Sequence, residues 1–412
     1  MKLKICNIGK VIEADIDING ITVIAGENNT GKSTVGKTLF SIFQTYFNLK
    51  NKIIQERYNS LKDLLDDGVF FRSVRREGEI SFSKYQEILN ENIERLILLF
   101  DDKQDRNSLE KDAFLLDVYG DDIKNKVDDI IQRLQITSDI LTQNILTRTF
   151  KEEFNKQINY IFDESNGEVD LEIKNGNLSL SIADNEIKLL KPLFDLSTEI
   201  IYIDNPLIID DRDSWFIFDS DIIQHHSDYL RNQFRREGTQ NAIEQVLVSK
   251  RLELINNMFS NIYDWRLVTE ENFNSNEKKI NFKNLSSGLK SFYILKKLIE
   301  NGTIKNRNTI ILDEPEVHLH PEWQLLYAEI LVILQVNLDL HILINTHSPY
   351  FLNAIEVFSS KYRISDKCSY YLAENEGVRS KITDVTNNIE AIYQKLSRPL
   401  QTLENIRGTS DD

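Results

Sequence analysis

Residues 26–33 read Gly-Glu-Asn-Asn-Thr-Gly-Lys-Ser, the spacing of glycines, lysine and hydroxyl that a bound triphosphate requires. Gly26 and Gly31 allow a tight loop whose backbone N–H groups converge on phosphate oxygens. Lys32 supplies a point charge for the β- and γ-phosphates, and the Ser33 hydroxyl can reach a Mg2+ ion. Gly26, Asn28, Asn29, Thr30, Gly31, Lys32, Ser33 and Thr34 are therefore the expected nucleotide contacts. Far downstream, Thr309-Ile310-Ile311-Leu312 ends in the acidic pair Asp313-Glu314. Asp313 would join Ser33 in holding the metal, and Glu314 would orient and deprotonate an attacking water. Phosphoryl transfer is mostly positioning and charge neutralisation, so a lysine, a metal and a base suffice for ATP hydrolysis.

Each of these groups needs an element to hold it. Ile21–Ala25 is a short β-branched apolar run that reads as a buried strand. Beyond Ser33, residues Val35, Leu39, Ile42, Phe43 and Phe47 recur at helical spacing. The phosphates would then sit at a helix N-terminus, where the dipole favours negative charge. The run before Asp313 reads as a second buried strand, and Leu340–Ile344, before Asn345-Thr346-His347-Ser348, as a third.

The order of GENNTGKS, Leu285-Ser286-Ser287-Gly288, Leu312-Asp313-Glu314-Pro315 and Thr346-His347-Ser348 resembles the ATP-binding-cassette head of SMC-, RecF- and OLD-like ATPases. TIILDEPEVHLH with Pro321 is especially similar to the DEPExxLHP form of bacterial OLD-like and defence-associated ATPases, and Lys4–Lys10 resembles the opening strand and turn of SMC and RecF heads. The likeness covers about a third of the chain, roughly residues 1–45 and 280–355. It implies that Ser286 and Gly288 form a signature loop binding the γ-phosphate of an opposite subunit, although Ser287 stands where transporters usually carry glycine. It also implies that His347 is the switch histidine touching the γ-phosphate. Glu314, His347 and Lys32 would be catalytic, with ATP and Mg2+ as cofactors. The Q-loop glutamine and the adenine-stacking residue find no counterpart by motif.

Other candidate groups carry plainer readings. His318 and His320 alternate beside Glu316, but further ligands at metal spacing are missing, and Cys6 and Cys368 are far away; an interface or structural role fits. His225-His226 reads as a polar helix start. Two arginine groups, Arg72/Arg75/Arg76 and Arg231/Arg235/Arg236 with Phe234, read first as solvated helix faces, with DNA contact the alternative.

Composition fits an intracellular globular ATPase. The chain has 412 residues, 41% hydrophobic, enough for a large core and two lobes, and its net charge of −16 argues against a generally basic nucleic-acid-coating surface. Two cysteines suit a reducing cytosol. The start lacks a signal h-region, and the apolar stretch Leu325–Leu334 is too short for a membrane span, so a cytoplasmic protein without a membrane segment is expected.

The expected fold class is α/β, an ABC-type P-loop head with a mixed sheet and an inserted helical lobe. Residues 1–49 and 165–412 would form the head, with a helical subregion at 220–262, and residues 50–164 the inserted arm. Ile123, Val127, Ile130 and Leu134 repeat as a helix seam, too short for an SMC coiled coil. Val169, Leu171 and Ile173, a turn at Asn175-Gly176, then Leu178, Leu180 and Ile182 signal a hairpin. Glu199–Asp204 reads as another core strand, and the tail as a strand plus closing helix (Ile389, Ile392, Tyr393, Leu396) before a loose end at Gly408–Asp412.

Residues 348–412 are too few for the Toprim nuclease of OLD proteins, and no other nuclease constellation is visible. The resemblance therefore points to an ATPase sensor or regulator subunit of a bacterial anti-phage system of the Septu, PARIS or retron-associated type. Such a subunit would act as a homodimer or larger even oligomer controlling a separate nuclease or toxin, with room for nucleic acid contact through the complex. A RecF/SMC-like DNA-repair ATPase is the alternative, and a transporter cassette subunit a more distant one.

Overall fold

The computed structural model describes residues 1–65, 82–101, 121–174, 176–193, 196–210, 225–236, 253, 255–269 and 279–409. The chain divides into two compact units, Met1–Phe47 with Leu146–Asp412, and Asn48–Ile145.

The first unit is built on one sheet of eleven strands: β1 (Lys2–Ile8), β2 (Val11–Asp17), β3 (Ile21–Gly26), β4 (Gly167–Ile173), β5 (Gly176–Ala183), β6 (Glu186–Lys191), β7 (Ile200–Ile203), β10 (Thr309–Asp313), β11 (His341–Thr346), β12 (Cys368–Glu376) and β13 (Arg379–Asp384). A short pair, β8 (Val268–Thr269) and β9 (Ile280–Asn281), lies apart. The large sheet runs β6-β5-β4-β1-β2-β13-β12-β3-β11-β10-β7. From β12 to β7 neighbouring strands are parallel, whereas β6-β5-β4-β1-β2 is an antiparallel wing.

The parallel strands read as continuous apolar runs because both faces are covered. Ile21, Val23, Ile310, Leu312, Ile342 and Ile344 enter one core with α7 (Ser287–Glu300), α8 (Pro321–Leu338), α9 (Pro349–Lys361) and the start of α10 (Glu390–Thr409). The opposite face meets α1 (Lys32–Tyr46), where a Cβ on Gly36 would lie 3.0 Å from Ile311 and 3.2 Å from the Tyr202 hydroxyl. The site is thus carried by a mixed α/β sheet, as expected.

The expected hairpin is present as β4–β5, with Ile173 paired to Gly176, so Gly176 opens the strand; Asn175 lies outside the described residues. Periodicity had not announced β6, a third strand pairing with β5. The core strand is the shorter Ile200–Ile203, and the tail holds two strands, β12 and β13, before α10. Gly408 belongs to α10, and residues 410–412 lie outside the described residues.

The second unit contains α2 (Leu49–Leu65), α3 (Phe82–Asp101), α4 (Asp121–Leu134) and the start of α5 (Ser138–Glu153). Leu61, Leu65, Leu89, Ile93, Leu96, Ile97, Ile130 and Leu134 form its core. Ile130 and Leu134 are half of the predicted seam; the Ile123 and Val127 side chains lie outside the described set.

Candidate nucleotide site

Register brings the motifs together. Ala25 pairs with Thr346 across β3 and β11, and Asn345 pairs with Asp313 across β11 and β10. Three adjacent parallel strands therefore end at one level, delivering the 26–33 loop, the acidic pair and His347 to the carboxyl edge of the sheet. Open α/β sheets bind ligands at that edge.

The loop's glycines are explained by close approach. A Cβ on Gly26 would lie 2.3 Å from the Ala373 carbonyl oxygen. Gly31 has φ +80°, and a Cβ there would meet Val11 at 2.6 Å. Thr30 is buried and its hydroxyl donates to the Glu27 carbonyl (2.8 Å), while Asn28 and Asn29 are exposed. Lys10, from the β1–β2 turn, donates to the Asn29 carbonyl (2.7 Å). Lys32 is buried at the start of α1 and donates to the carbonyls of Gly26 (3.0 Å) and Glu27 (2.8 Å). Burial lowers its pKa, and the negative charges of Glu314, Asp313 and Glu316 oppose that fall. Ser33 and Thr34 follow in the first turn of α1, half-buried.

At the end of β10 the Asp313 Oδ2 accepts from the Tyr202 hydroxyl (3.0 Å), leaving Oδ1 buried without a hydrogen bond. A free, desolvated carboxylate oxygen, on a side chain whose charge is felt by Lys32, fits a divalent cation. Tyr202 stays a neutral donor because burial and the Asp313 charge push its pKa well upward. Glu314 adopts φ +51°, a left-handed conformation uncommon for a non-glycine residue, while its N–H donates to the Asn345 carbonyl (2.9 Å). That turn leaves its side chain 36% exposed, with Oε1 3.4 Å from His347 Nδ1. His347 Nδ1 is also 3.6 Å from Glu316 Oε1 and makes no hydrogen bond.

Ser286 is the N-cap of α7, its hydroxyl accepting from the Leu289 N–H (3.4 Å), and it makes no hydrogen bond to the 26–34 loop of its own chain. Gly288 is required by packing, since a Cβ would lie 2.9 Å from the His318 carbonyl oxygen and 3.1 Å from Trp323. His320 caps α8 without a side-chain hydrogen bond, and His318 is half-buried.

The His225-His226 pair does open a helix, α6 (His226–Arg235), with His225 as N-cap. His226 is more than a polar start: its Nδ1 meets Glu153 Oε1 (2.6 Å), its Nε2 meets Asp204 Oδ2 (2.9 Å), and its ring stacks on Tyr202 at 4.2 Å. Glu153, His225 and His226 also form the metal-like grouping among the described residues, but both His226 ring nitrogens are already spent on carboxylates. Arg231 pairs with Asp228 and Arg236 with Glu199 (2.8 Å), so these two do not present a free basic groove; Arg72, Arg75 and Arg76 lie outside the described residues.

Motif reading missed Tyr202, Glu316 and His226. A glycine inside the helix after the loop, Gly36, hinted at a large side chain beneath it, and the third acid of Asp313-Glu314-Pro315-Glu316 was visible. Nothing local announced the His226 contacts, which come from residues 22 and 73 positions away.

The family profile described as "AAA domain, putative AbiEii toxin, Type IV TA system" matches residues 21–353, well over half of the chain. The chain belongs to this AAA family. No curated protein matches. Among solved structures, the AAA chain is similar to the SMC head domain from Thermotoga maritima, at 12% identity and TM-score 0.39, covering 93% of this chain and 98% of that one. It is also similar to an SMC head bound to the C-winged helix domain of ScpA (10% identity, TM-score 0.40, covering 93% and 96%). A third is an ATP-binding cassette of an ABC transporter in its ADP conformation (12% identity, TM-score 0.36, covering 98% and 99%). These likenesses are loose. No helix among the described residues is long and apolar enough to cross a membrane.

Proposed function

We propose that this AAA chain is an ATPase that hydrolyses ATP with Mg2+, pairs head to head around the nucleotide, and controls a separate nuclease or toxin in bacterial anti-phage defence. The observation that carries the hydrolytic part is the convergence of Lys32, Asp313, Glu314 and His347 at the ends of three adjacent parallel strands. Lys32 would exchange its carbonyl contacts for phosphate oxygens. Ser33 and Asp313 Oδ1 would hold Mg2+, whose charge neutralises the β- and γ-phosphates. Glu314 takes a proton from the attacking water as the new P–O bond forms and the bond to the β-phosphate oxygen breaks, releasing ADP and phosphate. His347, beside Glu314, stabilises charge on the transferred group.

The family's description, naming a toxin and a toxin–antitoxin system, supports a defence role. The helical arm of residues 50–165 and the 220–260 stretch, which carry none of the motif residues assigned to the nucleotide, are the proposed docking places for the effector. The pairing of Arg231 and Arg236 with carboxylates removes support from a DNA-repair reading at that cluster.

Glu314→Gln tests the chemistry. It should keep ATP and Mg2+ binding and lower kcat by about a hundredfold or more, because only the water-activating carboxylate is lost. Lys32→Ala should instead weaken nucleotide binding itself. Native turnover by the Glu314→Gln protein would show that the base has been misassigned.

A further inference from the structure

Glu316 is 3% exposed and takes no direct part in the chemistry proposed above. Its Oε1 accepts from the Thr346 hydroxyl (2.5 Å), the His347 N–H (3.0 Å) and the Ser348 N–H (3.2 Å). Successive backbone N–H groups in a turn make an anion-holding concavity, and here the anion is a side chain of the same chain. The arrangement is braced a second time. Gln324 of α8 donates to the Glu316 carbonyl (3.4 Å) and accepts from the Ser348 hydroxyl (3.1 Å). Burial raises the Glu316 pKa, while the Thr346 hydroxyl and backbone amides favour the carboxylate form.

The consequence falls on His347. Its main chain is pinned by Glu316, and its Nδ1 stands between Glu316 Oε1 (3.6 Å) and Glu314 Oε1 (3.4 Å) without a hydrogen bond to either. The turn carrying His347 and the turn carrying Glu314 leave different strands, and Glu316 ties them directly, with Gln324 as a second brace.

We propose that Glu316 is a positioning residue for hydrolysis: it clamps the Thr346–Ser348 turn so that the His347 ring is held beside Glu314. This deepens the hydrolytic reading and rests on it. A carboxylate is suited to the task because it accepts several N–H and O–H donors at one oxygen, and charge-assisted bonds are the stronger kind. An apolar residue of similar size would leave those donors buried and unpaired.

The test compares the native chain with Glu316→Gln, Thr346→Val, His347→Gln, the double variant Glu316→Gln/His347→Gln, and Glu314→Gln. Steady-state kcat, KM and nucleotide Kd are measured, with thermal melting as a check of folding. Glu316→Gln should lower kcat about ten- to hundredfold with Kd unchanged within about twofold, since a misplacement near 1 Å costs that much. Thr346→Val, which removes one donor and keeps a β-branched strand residue, should lower kcat in the same way by less, and it decides the matter if Glu316→Gln fails to fold. The double variant should be no slower than His347→Gln alone, because both substitutions remove one function. Native kcat in Glu316→Gln, losses that multiply in the double variant, or a loss seen only in Kd would each overturn the positioning role. An inactive Glu314→Gln beside such a result leaves the hydrolytic reading standing, whereas native turnover by Glu314→Gln would remove that reading first.

Discussion

A histidine held between two carboxylates makes the folded state sensitive to its proton. His226 is 2% exposed, and burial alone would drive its pKa down. Hydrogen bonds to Asp204 and Glu153, with their charges, outweigh burial and hold it at about 9, above the ordinary 6.5. A folded-state pKa raised above the unfolded value gives stability that is complete below about 6.5 and is lost as pH rises through about 9. The amount is on the order of 3 kcal/mol, because the imidazolium is stabilised relative to the unfolded chain. Denaturant unfolding should therefore show stability declining from pH 7 to pH 9.5. His226→Phe should be less stable at pH 7, with most of that slope removed. An unchanged slope in the variant would place the titrating group elsewhere. Tyr202 stacks on this ring and donates to Asp313, the carboxylate proposed to hold the metal.

At the level of elements, the strands and the loop owe their placement to close backbone approach. Gly26 ends β3 where β12 passes, and a Cβ would lie 2.3 Å from the Ala373 carbonyl oxygen. Gly26→Ala should thus push the two strands apart and cost about 1–3 kcal/mol in denaturant unfolding, the usual penalty of overpacking. A variant within about 0.5 kcal/mol of the native chain would mean that β12 yields freely. The same contrast separates what the sequence disclosed from what it did not. The loop, β10 before Asp313 and the β4–β5 hairpin were legible because each is set by adjacent residues: glycine spacing, an apolar run, alternation about a turn. The eleven-strand order was not legible, since β13 pairs with β2 across more than three hundred and fifty residues and β12 with β3 in parallel. Tyr202, Glu316 and His226 were hidden for the same reason. Their partners arrive from other elements, and a buried polar side chain is recognised by its partners rather than by its neighbours in sequence.

For the whole molecule, head-to-head pairing is proposed to run through Ser286. Ser286 caps α7 and makes no hydrogen bond to the loop that holds Lys32. If Ser286 completes a site, it completes that of a second copy, and two identical heads then close two composite sites about a two-fold axis. The Glu314→Gln chain with ATP should accordingly double its mass in light scattering, because the nucleotide that joins the heads is no longer consumed. Mixing supplies the sharper test. Lys32→Ala chains and Ser286→Arg chains should each be inactive alone, since every composite site either could form is damaged. In a mixed dimer the Lys32→Ala head lends its intact Ser286 to the intact loop of its partner, and one of the two sites is whole. Random exchange should then restore about a quarter of the native rate, from half the dimers each with one working site. Activity that stays absent in the mixture, or a chain that is monomeric with ATP and fully active, would mean that the site is complete within one chain.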